Sequence, residues 1–219
     1  MDKDKLKNII TRIGQINPKY ELENILPQSP KLIQFMDNPS EEIQMDVVNQ
    51  DGKYIKNIIE GGIKPSEDVQ WTAVNQDGQS LYFILKAGIV PSEDVQLTAV
   101  RNIGSAIQFI IEAGIIPSED VQWFAVGRNG YVIRPIIEAG IIPSERVQLA
   151  TVGNLGFLIK DIIEGGIVPS ERVQLAAVNQ NCESIYIIID TGITPSEHVK
   201  ELARSKGCIM RDRDYKLYG

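Results

Sequence analysis

The chain has 219 residues, 43% of them hydrophobic, a net charge of −7, two cysteines and one histidine. That hydrophobic share argues against a disordered tail, and the acidic balance argues against direct nucleic-acid binding, which needs a basic stripe. No stretch reaches the roughly 18 apolar residues of a membrane span, and the charged opening MDKDKLKNII lacks the apolar core of a signal peptide. The expectation is a cytoplasmic protein with no membrane contact.

Residues 1–38 carry helical apolar spacing (Ile9, Ile10, Ile13; Leu22, Ile25, Leu26; Leu32, Ile33) and are expected to form an N-terminal helical cap. From Pro39 onward one phrase returns every 26 residues, at Pro65, Pro91, Pro117, Pro143, Pro169 and Pro195, without insertion or deletion. Six full copies fill 39–194, and residues 195–219 are a degenerate capping copy. A fixed period overrides domain counting by length.

With Pro as position 1, Ser at position 2 (Ser66, Ser92, Ser118) fits a helix N-cap. Acids at positions 3 and 4 follow at the positive end of the dipole. Helix A then runs from position 3 to 12. Its apolar set is position 5 (Val69, Val95, Val121), 7 (Trp71, Leu97, Trp123), 9 (Ala73, Ala99, Ala125) and 10 (Val74, Val100, Val126). That spread is too wide for one buried face and predicts an inner helix between two neighbours. Gly at position 14 (Gly52, Gly78, Gly104, Gly130, Gly156) predicts a turn with positive φ. Helix B follows with a narrow apolar stripe at 17, 20 and 21, as in Ile107, Ile110 and Ile111, and one wet face. Gly at 24 (Gly88, Gly114, Gly140) is its C-cap, and Ile at 25 (Ile89, Ile115, Ile141) pins the linker. Pro135 removes a helix B amide in the fourth copy and is a potential kink.

A 26-residue hairpin cannot cover its own apolar faces. Stacking copies does so, which predicts an all-α fold: one continuous right-handed α-solenoid of stacked helix-turn-helix repeats. Glu201 and Arg204 replace apolar residues at positions 7 and 10 of the last copy, as a cap requires. Cys182 and Cys208 stand one period apart. Layers roughly 10 Å apart exceed the ~7 Å Cα limit of a disulfide, so both are expected as reduced thiols.

The run GSAIQFIIEAGII, preceded by the AV of LTAV, resembles the helical part of an ankyrin repeat. The period of 26 against 33 and the missing T-P-L-H tetrapeptide set it apart, and the shortfall matches the ankyrin β-hairpin. The phrase PSEEIQMDVVNQDGKYIKNI (39–58) is similar to bacterial and phage proteins with short helical repeats of unknown function. Over about 39–204 that resemblance implies a fold and a bacterial or phage origin, and no chemistry.

Gln at position 6 recurs as Gln44, Gln70, Gln96, Gln122, Gln148 and Gln174. It reads as a structural rung bonding loop backbone or the Gln of the next layer, with a row of ligand-binding amides as the alternative. The acids at positions 3 and 4, with Glu60, Glu112, Glu138 and Glu164, form a ridge interrupted by Arg146 and Arg172. Helix stabilisation is the simpler account, nucleic-acid mimicry the sharper one. Copies disagree at positions 11–13, 15, 18 and 19. Solenoids recognise partners through such variable surface positions, so Tyr82, Phe83, Arg101, Phe109, Arg128, Tyr131, Arg134 and Phe157 are the candidate partner-binding residues, aromatics and arginines being common interface anchors.

His198 reads as a surface residue, and G-x-S-x-G, phosphate-loop and zinc-spaced motifs are lacking. No catalytic residue, cofactor, metal or small-molecule substrate is expected. The function expected is non-catalytic binding of a protein or protein–nucleic-acid complex. The alternatives are a phage-type inhibitor of a host defence complex, for example one of CRISPR type, acting by steric or acidic mimicry, and an enzyme with an unrecognised site.

Overall fold

A computed structural model describes residues 26–208. Of the expected N-terminal cap, Ile9, Ile10, Ile13, Leu22 and Ile25 lie outside the described residues. Leu26 and Ile33 are buried, and Pro30–Phe35 is a short 3-10 helix. The chain forms two compact units, one ending at Ala113 and one starting at Gly114. Each is all-α, with no strand among the described residues.

The first unit contains three hairpins: α1 (Glu41–Gln50) with α2 (Ile55–Glu60), α3 (Glu67–Gln76) with α4 (Ser80–Lys86), and α5 (Glu93–Asn102) with α6 (Ala106–Glu112). Helices α1, α3 and α5 pack in sequence as one row, and α2, α4 and α6 as another. The second unit repeats the scheme with α7 (Glu119–Arg128), α8 (Ile133–Glu138), α9 (Glu145–Asn154), α10 (Ile159–Glu164), α11 (Glu171–Gln180), α12 (Ser184–Asp190) and α13 (Glu197–Ser205). There α7, α9, α11 and α13 form one row and α8, α10 and α12 the other. This is the stacked helix-turn-helix packing of an α-solenoid.

Local chemistry accounts for each hairpin. The Ser before each A helix accepts the amide of position 5 on its Oγ, as Ser66 does from Val69 and Ser170 from Val173. The helices end where position 13 turns extended, as at Ile103 with φ −140°. Each B helix closes on a position-24 glycine with φ between the +73° of Gly88 and the +84° of Gly192. The following Ile amide reaches back across the turn, Ile89 to Ile84 and Ile167 to Ile162, the Schellman arrangement that satisfies orphan carbonyls. Positions 5, 9 and 10 fill the interior: Val95, Ala99 and Val100 are fully buried. Each large aliphatic group so buried contributes about 1.5–3 kcal/mol.

Several expectations need correction. The position-14 glycines do not have positive φ; none of Gly52, Gly78, Gly130 and Gly156 is in the left-handed region. They are glycine because layers touch there. A Cβ on Gly52 would sit 2.1 Å from the Ala73 carbonyl oxygen, and one on Gly156 would sit 2.5 Å from that of Ala177. The same proximity overturns the expectation of free thiols. Cys182 and Cys208 occupy position 14 of successive layers and are joined by a disulfide, with Cα atoms 6.0 Å apart. Helix axes set the layer spacing, whereas these turns lean into the next layer and come much closer.

Position 7 is not core: Trp71 is 44% exposed, and Leu97 and Trp123 are half-buried. The buried place belongs to Gln at position 6, which lies between 9 and 10 on the helix circumference. In all six copies its Nε2 donates to the carbonyl of the Pro that opens its own copy, at 2.9 Å for Gln122 to Pro117 and 3.0 Å for Gln70 to Pro65. The rung is thus a clamp within each copy, not a contact with the next Gln. Pro135 is the third residue of α8, which follows directly on the 3-10 turn Gly130–Val132, and the helix continues past it to Glu138.

Candidate functional site

In the first unit, positions 18 and 19 face outward on the B helices and bring three candidate residues together. The Tyr82 ring meets Phe83 edge-on at 5.5 Å and Phe109 at 5.4 Å between centroids. The Lys86 ammonium lies 5.4 Å from the Tyr82 ring and that of Lys56 5.8 Å from Phe83. Tyr82 is 39% exposed. Beside it Leu85, Lys86, Phe109, Glu112 and Ala113 complete an open cavity of about 270 Å³. Aromatic surface rimmed by mixed charge offers apolar area with polar orientation.

In the second unit Tyr131 and Phe157, both at position 15 of neighbouring copies, lie 6.1 Å apart. Tyr131 is more than half exposed. Arg134 is committed inside the unit: its Nε donates to Asp161 at 3.0 Å, and the Asp161 side chain is only 8% exposed. That hydrogen bond and the charge of Asp161, with lesser contributions from Glu138 and Glu164, hold the guanidinium above its ordinary range against desolvation. Arg101 and Arg128 lie exposed in the last turns of α5 and α7, on the A helices of their hairpins, whereas Tyr82, Phe83 and Phe109 lie on B helices and Tyr131 and Phe157 in the 3-10 turns that precede them.

Several variable positions prove to be structural. Asn102 donates to the Val74 and Asn75 carbonyls of the preceding layer, and Asn154 does the same to Val126 and Gly127. Gln180 donates to Asn154 and accepts from the Gly156 amide. These amides finish the open carbonyl end of the helix below them. The acids at position 3 are likewise construction: Ser66 donates to Glu41, Ser144 to Glu119, Ser170 to Glu145 and Ser196 to Glu171.

Two surface features escaped the sequence reading. At position 26, Val90, Ile116, Ile142 and Val168 are 73–79% exposed. In the first unit the loops carrying Ile63, Lys64, Ile89 and Val90 border a groove of about 600 Å³. The signal was the occurrence of Lys64 and Thr194 at the same position, which only a solvated site accepts. The second feature is the outer face of the A helices, where Trp71 and the Trp123–Phe124 pair lie, these two rings 4.8 Å apart. Its signal was the range of side chains at position 7, from Met45 through Trp71 and Leu149 to Glu201.

Among the described residues no cluster of His, Cys, Asp and Glu could hold a metal ion, and no helix is long and apolar enough to cross a membrane. Compared with family models, curated proteins and solved structures, the chain matches none.

Proposed function

We propose that the chain is a non-catalytic binding scaffold that recognises a protein, or a protein within a nucleoprotein complex, through side chains set on a repeated frame. The observation that carries this reading is the Tyr82–Phe83–Phe109 group. These rings stand at positions the fold leaves free to vary and remain partly open, and Tyr82 and Phe109 border a cavity with both Lys86 and Glu112 on its rim. Aromatic anchors in such settings carry most of the energy of protein interfaces. The cell compartment proposed is the bacterial cytoplasm, which the disulfide qualifies, because such bonds persist where thiols are not kept reduced.

The test is affinity capture from a lysate of the source cell, with and without nuclease, using the intact chain. Tyr82→Ala with Phe109→Ala should reduce capture at least tenfold (roughly 2 kcal/mol for a pair of anchors) while helix content by circular dichroism stays unchanged. Capture that survives this pair, and also survives Tyr131→Ala with Phe157→Ala, would remove the reading.

A further inference from the structure

The second unit contains an arginine clamp. Asp120 at position 4 and Trp123 at position 7 belong to α7, and Arg146 stands at position 4 of the next copy. The Arg146 Nη1 bonds Asp120 at 2.5 Å, and its guanidinium lies 4.7 Å from the centre of the Trp123 ring. A planar cation is thus gripped by one carboxylate and one indole face, the two surfaces that suit a guanidinium.

The first unit carries the same frame without the cation. Asp68 and Trp71 hold positions 4 and 7 of α3, and position 4 of the next copy is Asp94. Helix α3 packs on α5 as α7 packs on α9, so the repeat register sets Asp94 where Arg146 stands. Neither Asp68 nor Asp94 has an ion-pair partner among the described residues, and no cation or ring stacks on Trp71. Trp71 is 44% exposed, whereas Trp123 is half-buried.

Helix stability does not require an acid at this position. Helices α9 and α11 carry Arg146 and Arg172 there and are ten residues long, like α3 and α5. Glu42, Asp68 and Asp94 each gain from the N-terminus of their own helix, yet on neighbouring layers they repel one another, a cost that salt screens. A cation from outside would remove it.

We infer that Asp68, Trp71 and Asp94 form a receptor for an arginine side chain of a basic segment of a partner protein. This rests on the reading of the chain as a protein-binding repeat and gives that reading a second, chemically defined contact. The guanidinium stacks on the Trp71 indole as Arg146 does on Trp123, with a carboxylate available on each side. Glu42, about one layer away (roughly 10 Å), suits a second cation of the same segment. Arginine is favoured over lysine because the clamp uses a flat fork against carboxylates and a ring face, which a compact ammonium matches poorly.

The chain contains two tryptophans, so Trp123→Phe leaves Trp71 as the reporter. In that background a tetra-arginine amide peptide should change Trp71 fluorescence saturably, and binding should weaken with salt. Asp68→Asn with Asp94→Asn should lower affinity about tenfold or more, while Glu183→Gln with Asp190→Asn, the same charge removed from exposed acids of the last full copy, should leave it within about twofold. Asp94→Arg should abolish binding and reduce acrylamide quenching of Trp71. In the reciprocal variant, Trp71→Phe with Arg146→Asp, Trp123 should acquire the response. That variant decides the matter if Asp94→Arg does not fold.

The inference is overturned by a Trp71 signal that ignores the peptide, by equal losses in the two charge-neutralised pairs, or by tetra-lysine binding as tightly as tetra-arginine. Capture through Tyr82 and Phe109 does not use Trp71. Failure of peptide binding while capture still depends on Tyr82 and Phe109 therefore removes this contact alone, whereas capture that survives both aromatic double substitutions removes the wider reading.

Discussion

Two glycine-to-alanine substitutions three residues apart should have opposite signs. Gly153 lies in the last turn of α9, where an added Cβ meets nothing within 4 Å, and Gly156 begins the following 3-10 turn. Neither has positive φ, so the backbone accepts alanine at both. At Gly153 the gain is the usual helix preference for alanine, about 0.5–1 kcal/mol. At Gly156 the Cβ would lie 2.5 Å from the Ala177 carbonyl oxygen, 2.8 Å from Gln180 Oε1 and 3.1 Å from Ser184 Oγ. Two of those atoms can rotate away, but the carbonyl belongs to α11 and moves only with its layer. Such overpacking costs about 1–3 kcal/mol, so the variants should differ by roughly 1.5–4 kcal/mol. Urea denaturation followed at 222 nm, with Trp123 fluorescence as a second probe, measures both. The reasoning is refuted if Gly156→Ala is neutral or stabilising, or if Gly153→Ala destabilises as much as Gly156→Ala.

The disulfide closes a separation of 26 residues, which chain entropy equates to about 3.5 kcal/mol. Cys208→Ser should therefore lose amide protection in α13 first, read by hydrogen exchange, and unchanged protection there would contradict the assignment. Gln122→Leu leaves the Pro117 carbonyl without its donor and should cost about 1–3 kcal/mol; an unchanged denaturation midpoint would show that the clamp contributes nothing. The Glu197 carboxyl is held below its usual value of 4.5, chiefly by its hydrogen bond to Lys200, with the charges of Lys200 and Arg204 adding and desolvation opposing. A depressed carboxyl pKa gives stability that is present above the unfolded value and lost as pH falls through the folded one. Lys200→Met should flatten that acid limb below about pH 4.5, and a thermal-midpoint profile identical to the parent would reject the linkage.

What could be read from the sequence was what a single hairpin decides for itself. Ser66 and its equivalents cap, Gly88 and its equivalents close, and the limits of every A helix in 39–194 follow from residues within one turn. What could not be read depends on how near one layer comes to the next. An average axis spacing gave no hint that position 14 abuts the neighbouring carbonyl, so Gly156 was assigned a conformational role and Cys182 a free thiol. Apolar type was likewise a poor guide where the helix surface is divided evenly. Trp71 looked like core and Gln70 like an anomaly, yet Gln70 is the buried one because its amide finds the Pro65 carbonyl. For the candidate site, the variable positions led to Tyr82, Phe109, Tyr131 and Phe157, whose rings do meet. They missed the face of Trp71 because its variability was hidden inside an apolar category.

The serine-to-glutamate contacts run one way only: each hydroxyl gives its proton to the carboxylate of the copy before it. A row built like this has a sense of direction, with an open carboxylate at its leading end. In the last described layer that open carboxylate is Glu197, and the chain answers it with Lys200 and Arg204 from the same helix. Lys200 stands where every earlier copy has glutamine. Lengthening the protein is therefore a matter of placement: an extra copy spliced between α9 and α11 would meet a matching neighbour on both sides, while one added after α13 would face a carboxylate already taken.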